Sequence, residues 1–177
     1  ATMINAKTGL TGVTASAYNT VGGTAGQTGV TSGLQVNGTT LGSTGSMSEL
    51  VDTINRDVAG VTASLDNEGA LQLSNDTGNA IVVGGTIAGS GLVADTYEGF
   101  ISLTSADGSE ISTALSTSGA STDLTRMGFM VSEGSDVVSG SAVSTGAVNA
   151  NDGIQINGVD LGAVTGTTAA DKAFAIN

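Results

Sequence analysis

The sequence contains no cysteine, no proline, no histidine and no tryptophan in 177 residues. Without Cys there is no disulfide and no thiol nucleophile, and redox compartment cannot be read from cysteine usage. Without His or Cys there is no zinc finger, no haem axial His and no Ser-His-Asp triad. Positive charge is scarce too: four Lys and Arg stand against sixteen Asp and Glu, a formal net charge of −12. Such a chain repels phosphate backbones, which argues against nucleic acid or an anionic membrane as partner. The only aromatics are Phe100, Phe129, Phe174, Tyr18 and Tyr97, so the core has to be built from Val, Ile, Leu and Ala. No apolar run reaches 18 residues, and no basic segment precedes an apolar one, so neither a membrane helix nor a cleaved signal peptide is visible.

What is present fits a folded chain. Gly, Ser and Thr are abundant, but a mean hydropathy of +0.23 and a charged fraction of 11% argue against disorder. The length suits one ordinary domain or two small ones, burying about 70% of the unfolded surface. The chain opens on Ala1, inside a helical pattern and without an initiator Met, as expected of a piece of a longer protein.

Internal repetition organises the chain. Gly33-Leu34-Gln35-Val36-Asn37-Gly38-Thr39-Thr40-Leu41-Gly42 returns as Gly153-Ile154-Gln155-Ile156-Asn157-Gly158-Val159-Asp160-Leu161-Gly162, with six of the ten positions identical. An Ile-Asn pair follows each copy, at Ile54-Asn55 and Ile176-Asn177, and a third pair, Ile4-Asn5, opens the chain. Gly12-Val13-Thr14-Ala15-Ser16 follows the first pair as Gly60-Val61-Thr62-Ala63-Ser64 follows the second.

The alternation in Leu34-Gln35-Val36 and Ile154-Gln155-Ile156 predicts half-buried strands. Asn37-Gly38 and Asn157-Gly158 supply the two positive-φ residues of a type I′ hairpin turn. Ser46 and Glu49 have capping-box spacing, and Met47, Leu50, Val51, Ile54 and Val58 form one helical face. A weaker version starts at Thr168 and Asp171, with Ala173 and Ile176 as its stripe. Val61–Leu65 and Leu71-Gln72-Leu73 form a hairpin about Asp66-Asn67-Glu68-Gly69, and a last strand, Ile81-Val82-Val83, ends at Gly84-Gly85. The unit reads as ββαββ, an antiparallel sheet with one helix on a face. Residues 99–105 and 111–115 read as two further strands joined by Ala106-Asp107-Gly108-Ser109, and Thr122–Met127 as a helical turn closed by Gly128. Phe100 and Phe174 fall on apolar faces in this reading, while residues 17–32 and 133–152 read as linkers or long loops.

The fold class expected is therefore α+β, strand-rich, in antiparallel ββαββ units with short helices and two small subdomains. Residues 1–140 are expected to hold one complete motif at 33–85. Residues 141–177 are expected to be a partial second motif packing with 1–16.

These elements resemble the hypervariable-region motif of bacterial flagellins that carries a signature Ile-Asn. Val36-Asn37-Gly38, Ile54-Asn55, Gly60-Val61-Thr62-Ala63 and Leu71-Gln72-Leu73 match its pattern in order. Ile156-Asn157-Gly158 with Ile176-Asn177, and Ile4-Asn5 with Gly12-Val13, match its two halves. The terminal segments that form a flagellin's filament core are absent, and no sustained heptads appear. The resemblance implies a surface-exposed outer portion of the flagellar filament, contributing to filament surface properties and antigenicity in motility. It implies an extracellular location reached through the flagellar export channel without a cleaved signal peptide. Contacts with other flagellin subunits would lie in the absent segments, so the isolated chain is expected to be a monomer. The family leaves room for an export chaperone. Hook-associated and cap proteins carry the same motif, so a cap fragment stays open, as does an adhesive module. The latter would present clustered aromatics.

No enzyme, cofactor or metal site is expected. Some flagellins display a zinc protease, which needs H-E-x-x-H, and there is no His. Asp66, Glu68, Asp107, Glu110, Asp152 and Asp160 sit beside turns and read as solvated turn residues. Asp66-Asn67-Glu68 lacks EF-hand spacing, and Gly22-Gly23-Thr24-Ala25-Gly26 lacks a P-loop lysine. The family's outer domains are often O-glycosylated on Ser or Thr, but no single hydroxyl stands out. The sequons Asn37-Gly38-Thr39 and Asn75-Asp76-Thr77 are discounted on the same resemblance.

Overall fold

The computed structural model describes residues 2–116, 119–129, 132–135, 137–143, 153–163 and 168–169. In chain order its elements are α1 (Thr2–Ala6), α2 (Thr8–Thr11), β1 (Val13–Gly22), β2 (Leu34–Val36), β3 (Thr39–Thr40), α3 (Met47–Asp57), β4 (Thr62–Leu65), β5 (Leu71–Asn75) and β6 (Ile81–Gly85). There follow β7 (Asp95–Tyr97), β8 (Phe100–Ser105), β9 (Ile111–Leu115), α4 (Ser121–Arg126), β10 (Ser132–Ser135), β11 (Val137–Ser139), β12 (Ile154–Ile156) and β13 (Val159–Asp160). Among the described residues every strand pair is antiparallel, and the chain is α+β and strand-rich as expected.

The chain forms two compact units. The first is Ala1–Tyr18, Asp76–Asn79 and Glu98–Asn177; the second is Asn19–Asn75 and Ala80–Tyr97. In the second unit a four-stranded sheet runs β3-β2-β6-β7, and β5 pairs with both β4 and residues Asn19–Gly22 of β1. Sequence periodicity suggests one sheet for the motif; its two hairpins instead lie in different sheets. The reason is that each hairpin has a single apolar face. Leu34, Val36, Ile81 and Val83 from one, and Ala63, Leu71 and Leu73 from the other, are buried in one cluster with Leu50 and Ile54 of α3.

The caps of α3 follow the sequence with one shift. Ser46 is extended and its Oγ accepts the Glu49 amide at 3.1 Å, while Glu49 Oε2 accepts the amide of Gly45 at 2.7 Å rather than that of Ser46. Met47, Leu50, Ile54 and Val58 are buried, Val51 is half-buried, and Thr53 joins the buried face.

In the first unit β1 pairs with β8 from Val13↔Ser105 to Tyr18↔Phe100, and β8 pairs in turn with β11. A second sheet runs β10-β9-β12-β13. Its core gathers Ile4, Val13, Ala15, Ile101, Leu103, Ile111, Met127, Phe129, Ile154 and Ile156.

Three expectations are corrected. Residues 17–22 are strand, not loop, because Ala15, Ala17, Asn19 and Val21 are buried while Thr14, Ser16 and Thr20 are exposed. Residues 133–135 and 137–139 likewise belong to β10 and β11. Phe100 lies on the face opposite Ile101 and Leu103, half-buried, and stacks on Tyr18 with ring centroids 5.4 Å apart. Asp152, Asp171, Ala173, Phe174, Ile176 and Asn177 lie outside the described residues.

Candidate functional site

The residues singled out by the repeat fall at two kinds of closure, each made by an asparagine. The first is the hairpin turn. Asn37 (φ 48°) and Gly38 (φ 79°) both adopt positive φ, as do Asn157 (φ 48°) and Gly158 (φ 76°). This is the type I′ geometry that matches the twist of the flanking strands. The turn asparagines also extend the sheet. The Asn37 amide N–H donates to Val82 O at 2.9 Å and its side-chain Oδ1 accepts the Val82 amide at 2.8 Å. Asn157 makes the same pair with Ser112, at 3.0 and 2.9 Å. Its Nδ2 also donates to the carbonyl of Thr11, 2.6 Å away at the end of α2. Helix C-terminal carbonyls lack intrahelical donors, so this bond fills a real need. Lys7 Nζ donates to Asp160 O at 2.7 Å, a second tie between the start of the chain and the β12–β13 hairpin.

The second closure is at the helix end. Ile54 is fully buried and turns Asn55, its neighbour, toward β4. Asn55 Nδ2 donates to Ala63 O at 3.0 Å, and the Ala63 amide donates to Asn55 Oδ1 at 2.7 Å. Because the Ala63 N–H can only donate and its carbonyl only accept, this pair fixes the amide's orientation. Asn5 repeats the arrangement with Ala15, at 3.1 and 2.7 Å, beside a fully buried Ile4. Ala63 pairs across the sheet with Leu73, and Ala15 with Leu103. In each case the side-chain amide takes the place of a further strand. A bare strand edge is a template for unwanted pairing, and the asparagine covers it. Gly60 (φ 73°) and Gly12 (φ 68°) make the turn between helix and strand, followed by buried Val61 and Val13.

Sequence reading missed the receiving groups: Ala63, Ala15, Val82, Ser112 and Thr11. The alanines had a signal, since both stand at the same place in the Gly-Val-Thr-Ala segments. Val82, Ser112 and Thr11 had none, because only their backbone is used.

Asn55→Ala leaves the Ala63 amide and carbonyl without these partners in a partly buried setting. We expect a loss of about 2 kcal/mol in urea denaturation of the second unit.

The turn carboxylates bind the chain itself. Asp66 Oδ1 accepts the amides of Ala70 (2.8 Å) and Glu68 (2.9 Å), and its Oδ2 accepts Gln72 Nε2 at 3.3 Å. These donors, the Ala70 amide first, hold its pKa below the ordinary 3.8. The Ser109 amide, then the Ser109 and Ser105 hydroxyls, do the same for Asp107. Their stabilisation is complete above the ordinary aspartate value and is lost as pH falls through the lowered folded value. Protection of the Ala70 amide, measured by hydrogen exchange, should therefore drop on acidification below 3.8. Asp66→Asn keeps the acceptor and should flatten that dependence. Among the described residues no three Asp or Glu side chains gather as a metal site, and no helix is long and apolar enough to cross a membrane.

The bonds at these closures join asparagine side chains to backbone groups of neighbouring strands and helix ends. Residues 35–77 match the family model of the flagellin hook IN motif, about a quarter of the chain. No curated protein matches the chain.

Proposed function

We propose that the chain is a surface-exposed outer portion of a flagellar filament subunit, setting the filament's surface charge and antigenicity. The match at 35–77 carries this reading. The Asn5 and Asn157 closures support extending the motif to a second copy, assembled from residues 2–16 and the hairpin at 153–161. The −12 charge suits display, since repulsion between neighbouring copies opposes bundling. Subunit contacts would belong to other segments, so the isolated chain should stay monomeric. Export would proceed without a cleaved signal peptide, with room for a chaperone, and exposed Ser or Thr would be the glycan acceptors.

The test is immunogold labelling of intact flagella with antibodies raised against this chain. Decoration along the whole filament is expected. Gold confined to the distal tip or the hook would replace this reading with the cap or hook-associated one, and unlabelled flagella would overturn both.

A further inference from the structure

We propose that the second unit acts as the folding template of the first: its folding brings together the three places where the chain passes between units. The chain enters the second unit between Tyr18 and Asn19, leaves and re-enters around Asp76–Asn79, and leaves finally between Tyr97 and Glu98. Inside the second unit these points converge. Asn19 is the strand partner of Asn75, and its Nδ2 donates to Tyr97 O at 2.7 Å. Inside the first unit their continuations meet as well. Tyr18 is the strand partner of Phe100 and stacks on it. A Cβ on Gly78 would stand 2.6 Å from Ala17 Cβ, and one on Gly99 would strike the Gly78 carbonyl. Three separate segments pass close together there, with no room for side chains.

The physical consequence follows from loop closure. With the second unit unfolded, β1 and β8 must find each other across the roughly 80 residues between Tyr18 and Phe100. Closure probability falls as the 3/2 power of loop length, so such a hairpin forms about 100-fold less readily than one joined by a four-residue turn. The folded second unit replaces that long loop with a fixed short span. Its own pairings close over shorter spans: β4–β5 over the Asp66–Gly69 turn, and β2–β6 over the roughly 45 residues between Val36 and Ile81, of which only Asp76–Asn79 belong to the first unit. The dependence is therefore stronger in this direction than in the reverse.

Hydrogen exchange on the full chain tests this. A Leu50→Ala, Ile54→Ala double variant empties the second unit's core. Amides of β8 should then lose about 100-fold in protection although none of their own contacts is altered. Ile111→Ala, in the first unit's core, should leave the amides of β5 and β6 protected as before. Tyr18→Cys with Phe100→Cys, oxidised in the double-variant background, joins the two strand partners covalently and should restore β8 protection, whereas its reduced form should not. The chain has no other cysteine to interfere. Unchanged β8 protection in the double variant, equal loss in both units with Ile111→Ala, or a cross-link that restores nothing would each overturn the proposal. Should the double variant lose all structure, recovery of β8 protection in the oxidised form supports the proposal, and no recovery overturns it.

Discussion

Replacing Ile54 with Ala should cost the second unit about 2–5 kcal/mol, while Ile54→Val should cost about 0.5–1.5 kcal/mol. Ile54 is fully buried, in one cluster with Leu50, Leu71, Leu73 and Ile81, so truncation both removes apolar contact and leaves a void. In a unit of this size each kcal/mol moves Tm by about 4–8 °C, so calorimetry will resolve the Ala variant easily. The effect reaches beyond packing, because the next residue is Asn55. The bidentate bond to Ala63 depends on α3 being seated at the depth that Ile54 sets. A double-mutant cycle of Ile54→Ala with Asn55→Ala should therefore be less than additive, since a helix that shifts already weakens the amide's grip. The two residues of the signature pair thus act differently. The Ile anchors the helix end, and the Asn closes the strand edge.

That division was only half legible in the sequence. Local patterns read well wherever apolar and polar residues alternate cleanly. Leu34-Gln35-Val36, the Asn37-Gly38 turn and the α3 stripe all form as their spacing predicts. β1 escaped because its buried positions include Ala15, Ala17 and Asn19, which carry little hydrophobic signal, next to exposed Thr and Ser. Sheet membership escaped because it is decided by partners far along the chain: β2 pairs with β6, and β5 with β1 as well as β4. The asparagines themselves were visible as a repeated pair, yet their partners are backbone groups, and a backbone group leaves no mark on composition. Charge was legible as a total but not in its local use. Asp66 and Asp107 are stitched into their own turns, and Asp123 is fully buried, accepting the Ala120 amide at 2.7 Å and an Arg126 bond at 2.8 Å.

Gly84 and Gly85 look interchangeable in the sequence, but substitution should affect them in opposite directions. Gly85→Ala is expected to cost about 3 kcal/mol or more, from two independent sources. Its φ is +69°, a region an L side chain adopts only with strain. A Cβ there would also run into the Gly33 carbonyl and lie 3.3 Å from the Gln35 nitrogen, both backbone atoms that cannot swing aside. The Gly33 carbonyl is itself engaged, accepting the Thr86 amide at 2.9 Å, so giving way would break the last bond between the β2 and β6 ends. Gly84 has ordinary strand geometry, and a Cβ on it would meet nothing within 4 Å. Gly84→Ala should therefore be neutral or stabilising by up to about 0.5–1 kcal/mol, because Ala gives up less chain entropy than Gly on entering a strand. Urea midpoints of the two single variants, measured side by side, decide the matter. Equal shifts would mean that the close approach of β6 to Gly33 does not govern this end of the sheet.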